Sequence, residues 1–262
     1  MYLKTMKPAN DMARDNPTVQ PDGEGLLEPL ALLERRFRNL SPRISCDELL
    51  PLIVARKQFD QDQPSWSDRG DLAHLFVLES GFAFKFEILP NGQRHIADFF
   101  GPGAICNWSR LNQFEQQDDL VFKARSTVTL LDAKKLAVLL DDRASLASAF
   151  RRHELARTMR TTQRIRSLIA RGATEKMMVV LLDLFDEAST IGHAPDFLPL
   201  NFTQQEIADL LGVTPVHVSR TFSRLEEDGV VLRDRKSFKL IDPAGLRERL
   251  AYKRFFRTGT QK

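Results

Sequence analysis

Cysteine is scarce, with Cys46 and Cys106 the only two in 262 residues. They have no ligand-like spacing, and two thiols cannot staple a chain of this length. A reducing, cytoplasmic setting is therefore expected. No apolar run approaches the roughly 18–20 residues that span a bilayer, so no membrane partner is expected. The N-terminus lacks a signal peptide's apolar core. Residues 1–26, with Pro8, Pro17, Pro21, Gly23 and Gly25, read as a flexible leader. Also missing are a Gly-rich phosphate loop, a His-x-x-x-His pair, a Gly-x-Ser-x-Gly elbow and any convincing metal set. These gaps argue against an enzyme and give no reason to expect a metal or cofactor.

Net charge is small, with 38 Lys and Arg against 35 Asp and Glu. Its distribution says more. Between Arg143 and Lys176 nine basic residues face two acidic ones, and from Leu200 onward twelve face eight. The positive charge sits in the second half, as a phosphate-bearing partner requires.

The chain is long enough for two domains of ordinary size. Short helical patterns at Leu27–Leu40 and Asp47–Ile53 give way to apolar runs broken by turn residues. The pattern alternates over Phe76–Glu87, turns at Pro90-Asn91-Gly92 and resumes as a strand at Arg94–Phe100. Gly101-Pro102-Gly103 makes the next corner, and FKARSTVTLLD is a further strand candidate. This texture predicts an antiparallel β-barrel or jelly roll over 27–142. The period then turns helical. One long helix is expected over Ala144–Ala170, interrupted near Arg171-Gly172, and a second from Thr174 to Glu187. Phe150, Leu155, Met159, Thr162, Ile165 and Ile169 mark an apolar seam that a second copy would cover, making 143–171 a dimerisation helix. The helix's arginines (Arg151, Arg152, Arg157, Arg160, Arg164 and Arg166) read as a solvated face, and His153 as packed or solvent-facing.

Residues 203–228, TQQEIADLLGVTPVHVSRTFSRLEED, carry the sharpest signal. Thr203 and Glu206 have capping-box spacing. Ile207, Leu210 and Leu211 recur at helical intervals before a turn at Leu211-Gly212-Val213. Thr214 caps the next helix, and Pro215 occupies a position where its missing N–H does no harm. Val218, Phe222 and Leu225 form the buried stripe, leaving Val216, His217, Ser219, Arg220, Ser223 and Arg224 on outward or flanking positions. Gly229–Leu232 and Ser237–Ile241, joined by a basic turn, make a wing whose Arg235, Lys236 and Lys239 reach toward phosphates. The whole is an α+β chain: a β-barrel or jelly roll, a long dimerisation helix, and a C-terminal winged helix-turn-helix over 172–262.

This order of parts resembles the Crp/Fnr family of dimeric bacterial transcription regulators, over roughly Leu27–Asp242. FTQQEIADLLGVTPVHVSRTFSRLEEDGVV carries the likeness most specifically, and ESGFAFKFEILPNGQRHIADFFGPG follows. The resemblance implies a DNA-binding homodimer on a two-half-site operator, with RNA polymerase as protein partner. It makes Thr203, Gln204, Thr214, Val216, His217, Ser219, Arg220, Ser223, Arg224, Lys236 and Lys239 the DNA-contact candidates. Family members commonly carry Glu-x-x-Ser/Gly-Arg on the reading helix. Ser219 and Arg220 match, but Val216 replaces the Glu and cannot accept from cytosine N4. The effector pocket departs further. Cys106-Asn107 stands where cyclic-nucleotide binders have Gly-Glu, and Asp118 or Asp119 falls near their phosphate-holding Arg. Cyclic AMP is therefore not the expected effector. Cys106, Asn107, Trp108, Arg110 and Arg125 are pocket candidates, with Lys123 a further cation. Two cysteines do not make the four-thiolate iron–sulfur set. A haem branch needs a His where Trp108 stands, with His74 and His95 the substitutes on offer. Redox or haem response through Cys106, and a dimeric adaptor that binds no DNA, are the competing readings.

Overall fold

The computed structural model describes residues 28–65, 73–112, 119–189, 197–199, 202–234 and 237–256. Helix α1 (Ala31–Leu40) and a 3-10 turn at Asp47–Leu52 precede the strands. These are β1 (Ile53–Phe59), β2 (Gln63–Ser65), β3 (His74–Ser80), β4 (Ala83–Ile88), β5 (Arg94–Phe100), β6 (Asp119–Phe122) and β7 (Ser126–Asp132). They pair antiparallel in two sheets, ordered β1-β7-β3 and β2-β6-β4-β5. Apolar side chains of both, among them Phe76, Leu78, Phe100, Phe122 and Val128, fill the space between them. This is the jelly-roll-like antiparallel arrangement expected.

Two strand boundaries differ from the sequence reading. The alternation over Phe76–Glu87 is two strands, broken at Gly81, whose φ of 80° permits the reversal. A Cβ there would collide with the Ser126 hydroxyl, so a side chain is excluded as well. FKARSTVTLLD likewise splits between β6 and β7. Arg125 adopts φ 66° and donates its backbone N–H to Phe59 O at 2.6 Å.

The four-stranded sheet is buried on both faces, which explains the Phe-rich run in β4. With period two, Phe82, Phe84 and Phe86 point away from the inter-sheet core while Ala83 points into it. Helix α2 (Ala133–Asp142) is capped by Asp132, whose carboxylate accepts from Lys135 N at 3.0 Å. Helix α3 (Ala144–Ala170) then runs 27 residues, and α4 (Ala173–Ser189) follows after the break at Arg171-Gly172. The final block contains β8 (Leu198–Pro199), α5 (Gln204–Leu211), α6 (Pro215–Glu227), β9 (Val231–Asp234), β10 (Ser237–Leu240) and α7 (Pro243–Arg249). Its core, with Ile207, Leu211, Val218 and Phe222, is continuous with the outer Phe face of the four-stranded sheet. Among the described residues no helix is long and apolar enough to cross a membrane.

Candidate nucleic-acid interface

Helices α5 and α6 form where the local chemistry demands them. Thr203 Oγ1 accepts from Glu206 N at 3.1 Å while Glu206 Oε2 accepts from Thr203 N at 2.8 Å, completing the capping box. Gly212, at φ 67°, ends α5 left-handed as a C-terminal glycine does. Thr214 Oγ1 then accepts from His217 N at 3.3 Å, and Pro215 opens α6. Val218, Phe222 and Leu225 are buried. Val216, His217, Arg220, Ser223 and Arg224 are exposed, Val216 by 60%, and Ser219 is half-buried. Arg220 makes no hydrogen bond or ion pair within the described residues. Arg224 stands 3.9 Å from Asp228 in an exposed pair that contributes little. Thr203 and Gln204 are exposed at the start of α5, and Lys239 is half-buried on β10. Arg235 and Lys236, at the wing turn, lie outside the described residues.

The hairpin is moored to the sheets. Phe202, just before α5, packs edge-on against Phe82 and Phe99. Arg94 of β5 holds Asp209 at 2.7 Å, and Lys123 pairs with both Glu206, at 2.9 Å, and Asp62. Burial pulls the Lys123 ammonium down, but its two carboxylates outweigh that and hold it above its usual range.

Long helix α3 reverses part of the sequence reading. Arg157, Arg160 and Arg164 are not a solvated face: they are buried, while Arg151, Arg152 and Arg166 are exposed. Their spacing of three and four puts them on one stripe, and the acids that receive them come from other elements. Asp98 of β5 faces all three. Glu187 of α4 pairs with Arg160 and, at 2.5 Å, with Arg36 of α1. Asp183 takes Arg164 at 2.7 Å. Burial alone would raise the Asp98 carboxyl, yet the guanidiniums of Arg157, Arg164 and Arg160 hold it well below the usual carboxylate range. His153 is buried between Phe37 and Phe256 with neither ring nitrogen hydrogen-bonded. Burial, then Arg36, Arg157 and Arg160, keep it neutral.

The opposite stripe is apolar and open. Leu155, Met159, Ile165 and Ile169 are exposed, Ile169 by 81%, and Thr162 beside them is exposed too. Phe150 departs from the expected seam. It is fully buried inside its own chain, edge-on to Phe37 and stacked on Trp108, and offers nothing to a second copy.

A cavity of about 530 Å³ opens between the sheets and α3, with Lys85, Phe100, Cys106, Trp108, Arg157 and Thr161 in its wall. Two of the expected pocket residues, Cys106 and Trp108, are there. Asn107 is instead structural: its Oδ1 accepts from Phe76 N at 2.8 Å and its Nδ2 donates to His74 O at 2.9 Å. Arg125 is an exposed turn residue away from the cavity. Arg110 lies on a 3-10 turn, and its side chain lies outside the described residues. Burial pushes the Cys106 thiol up to about 12, which leaves almost no thiolate at neutral pH. Among the described residues no group of three His, Cys, Asp or Glu could hold a metal ion.

A two-sheet antiparallel unit, one long helix and a winged helix-turn-helix together define a class of DNA-reading regulators. A model of the Crp-like helix-turn-helix domain matches residues 175–249. The nitrogen fixation regulation protein FixK of Bradyrhizobium diazoefficiens is 25% identical over 72% of this chain and 79% of its own. FixK of Azorhizobium caulinodans is 28% identical over 73% and 79%. Among solved structures, FixK2 from Bradyrhizobium japonicum shares the fold at a TM-score of 0.63 and 16% identity, over 79% of this chain and 98% of its own. A mutant of CooA from Carboxydothermus hydrogenoformans does so at 0.59 and 14%, over 81% and 94%. Residues 175–249 thus match a Crp-like helix-turn-helix domain, and over most of its length the chain is similar to transcription regulators of the Crp/Fnr type.

Proposed function

We propose that this chain is a homodimeric regulator reading a two-half-site operator through α6, and that it is not an enzyme. In this reading 27–142 is the sensor-like unit, 143–171 the dimerisation helix and 172–262 the reading head. The observation that carries it is the outward face of α6, where Arg220 stands exposed with no partner among the described residues. A guanidinium so placed suits guanine O6 and N7 in the major groove. Val216 can pack on a thymine methyl. Thr203, Gln204, Thr214, His217, Ser219, Ser223, Arg224, Lys236 and Lys239 are the flanking contacts. The open stripe of Leu155, Met159, Ile165 and Ile169 supports pairing by a second copy, with Thr162 within it. RNA polymerase is the protein partner the family implies.

The effector in this reading is not cyclic AMP. The cavity wall holds Asp98 and Glu154, two carboxylates that oppose a phosphate, beside Arg157 and Lys85. The smothered thiol of Cys106 gives redox sensing there no support. Titrating genomic duplex at several salt concentrations tests the DNA reading against the adaptor reading. A binder loses affinity steeply with salt, and Lys236→Ala lowers the log–log slope by about one. An affinity absent at low salt rejects it. Added cyclic AMP should leave the melting temperature unchanged, and a clear rise would refute this view of the pocket.

A further inference from the structure

The chain beyond α7 turns back on itself. Ala251 adopts a left-handed φ of 48°, unusual for a residue with a side chain, and sends residues 252–256 across α4 and α3. Arg171, at the end of α3, donates from Nη2 to Leu250 O at 2.5 Å. Tyr252 Oη donates to Asp183 Oδ1 of α4 at 2.7 Å. Lys253 pairs both ways with Gln163 of α3: its N–H donates to Oε1 at 2.8 Å and its carbonyl accepts from Nε2 at 3.2 Å. Arg254 stands 3.5 Å from Asp186 of α4. Phe256, buried, lies 5.6 Å from the His153 ring and 5.4 Å from the Arg36 guanidinium. Residues 250–256 themselves lie beyond the stretch that the family model matches.

The junction they cross has little rigidity of its own. Arg171 is extended, and a Cβ built on Gly172 would meet nothing within 4 Å. The backbone at 171–172 therefore adds no constraint of its own on the angle between α3 and α4, which are joined further along by the buried pairs Arg164–Asp183 and Arg160–Glu187. That angle matters, because α4 packs directly on α6. Between them the anchors of the 250–256 segment reach α3 at Gln163 and Arg171, α4 at Asp183 and Asp186, and α1 at Arg36, so the segment bridges the two sides of the junction. We propose that residues 250–256 are a strap that, together with those pairs, fixes the α3–α4 angle and so sets where each reading helix points. The proposal rests on the DNA reading above.

The test uses the full chain with Gln163→Ala and Tyr252→Phe, alongside a truncation after Leu250. The expected result is hydrogen exchange about tenfold faster over residues 166–180 with 204–227 unchanged, because only the junction loosens. Affinity for a two-half-site duplex should fall about tenfold while that for a single half-site stays constant, because only the coupling of two heads depends on their placement. Unchanged exchange at 166–180 overturns the strap, and so does faster exchange with unchanged two-site affinity. If the truncation fails to fold, Gln163→Ala, at a half-exposed position, still decides. A wild-type chain that binds neither duplex refutes the DNA reading instead, and exchange alone then decides whether the strap fixes the angle.

Discussion

Arg220 and Arg160 are both helical arginines in basic stretches, yet their surroundings give them opposite work. Arg220 is exposed and unpartnered among the described residues, so Arg220→Ala should leave stability within about 0.5 kcal/mol of wild type. Arg160 is buried among Asp98, Glu187 and the Phe99 ring. Removing one partner of such a cluster strands charge in the interior, so Glu187→Gln should cost about 3–5 kcal/mol in denaturant unfolding. His153 adds a pH dependence with a definite sign. The folded ring resists protonation while the unfolded ring titrates near 6.5. Its share of stability is complete above about pH 6.5 and is lost progressively as pH falls below that value. The loss of stability from pH 7 to pH 5 should be smaller in His153→Leu, and equal losses would remove His153 as the cause. None of this cluster was legible in the sequence. The arginines repeat every three or four residues, but their acids lie on β5 and α4, and only tertiary packing brings them together.

Helices and turns were more legible than strands, for a physical reason. A cap such as Thr203 with Glu206, or Pro215 opening α6, is chemistry within four residues and is written where it acts. Thr203→Ala should therefore cost about 1 kcal/mol in thermal unfolding. Gly81 and Arg125 show the converse. Each reverses the chain inside a run whose alternation reads as one strand, because both flanking strands bury the same kind of side chain. Gly81→Val should be far more damaging than a surface change: it combines positive φ with a clash against Ser126. On α3 the exposed apolar stripe is shorter than its sequence period suggests. Phe150 lies where α3 still packs on α1, so only the residues beyond it are left outward.

One apolar core runs from the four-stranded sheet through α4 into α5 and α6, and the ion pairs Arg94–Asp209 and Lys123–Glu206 pin the hairpin to the same sheet. The outward stripe of α3 is an apolar surface that this chain leaves uncovered among the described residues. Ile165→Glu with Ile169→Glu should convert the protein to monomers in sedimentation and weaken operator binding far more than binding to one half-site. The most direct test is a selection from randomised duplexes, run in parallel with wild type and Arg220→Ala. The expected result is an inverted repeat with half-sites about 10–10.5 base pairs apart, centre to centre, and loss of preference at one symmetric position in the variant. No enriched repeat, or the same preferences in both proteins, would contradict the DNA reading.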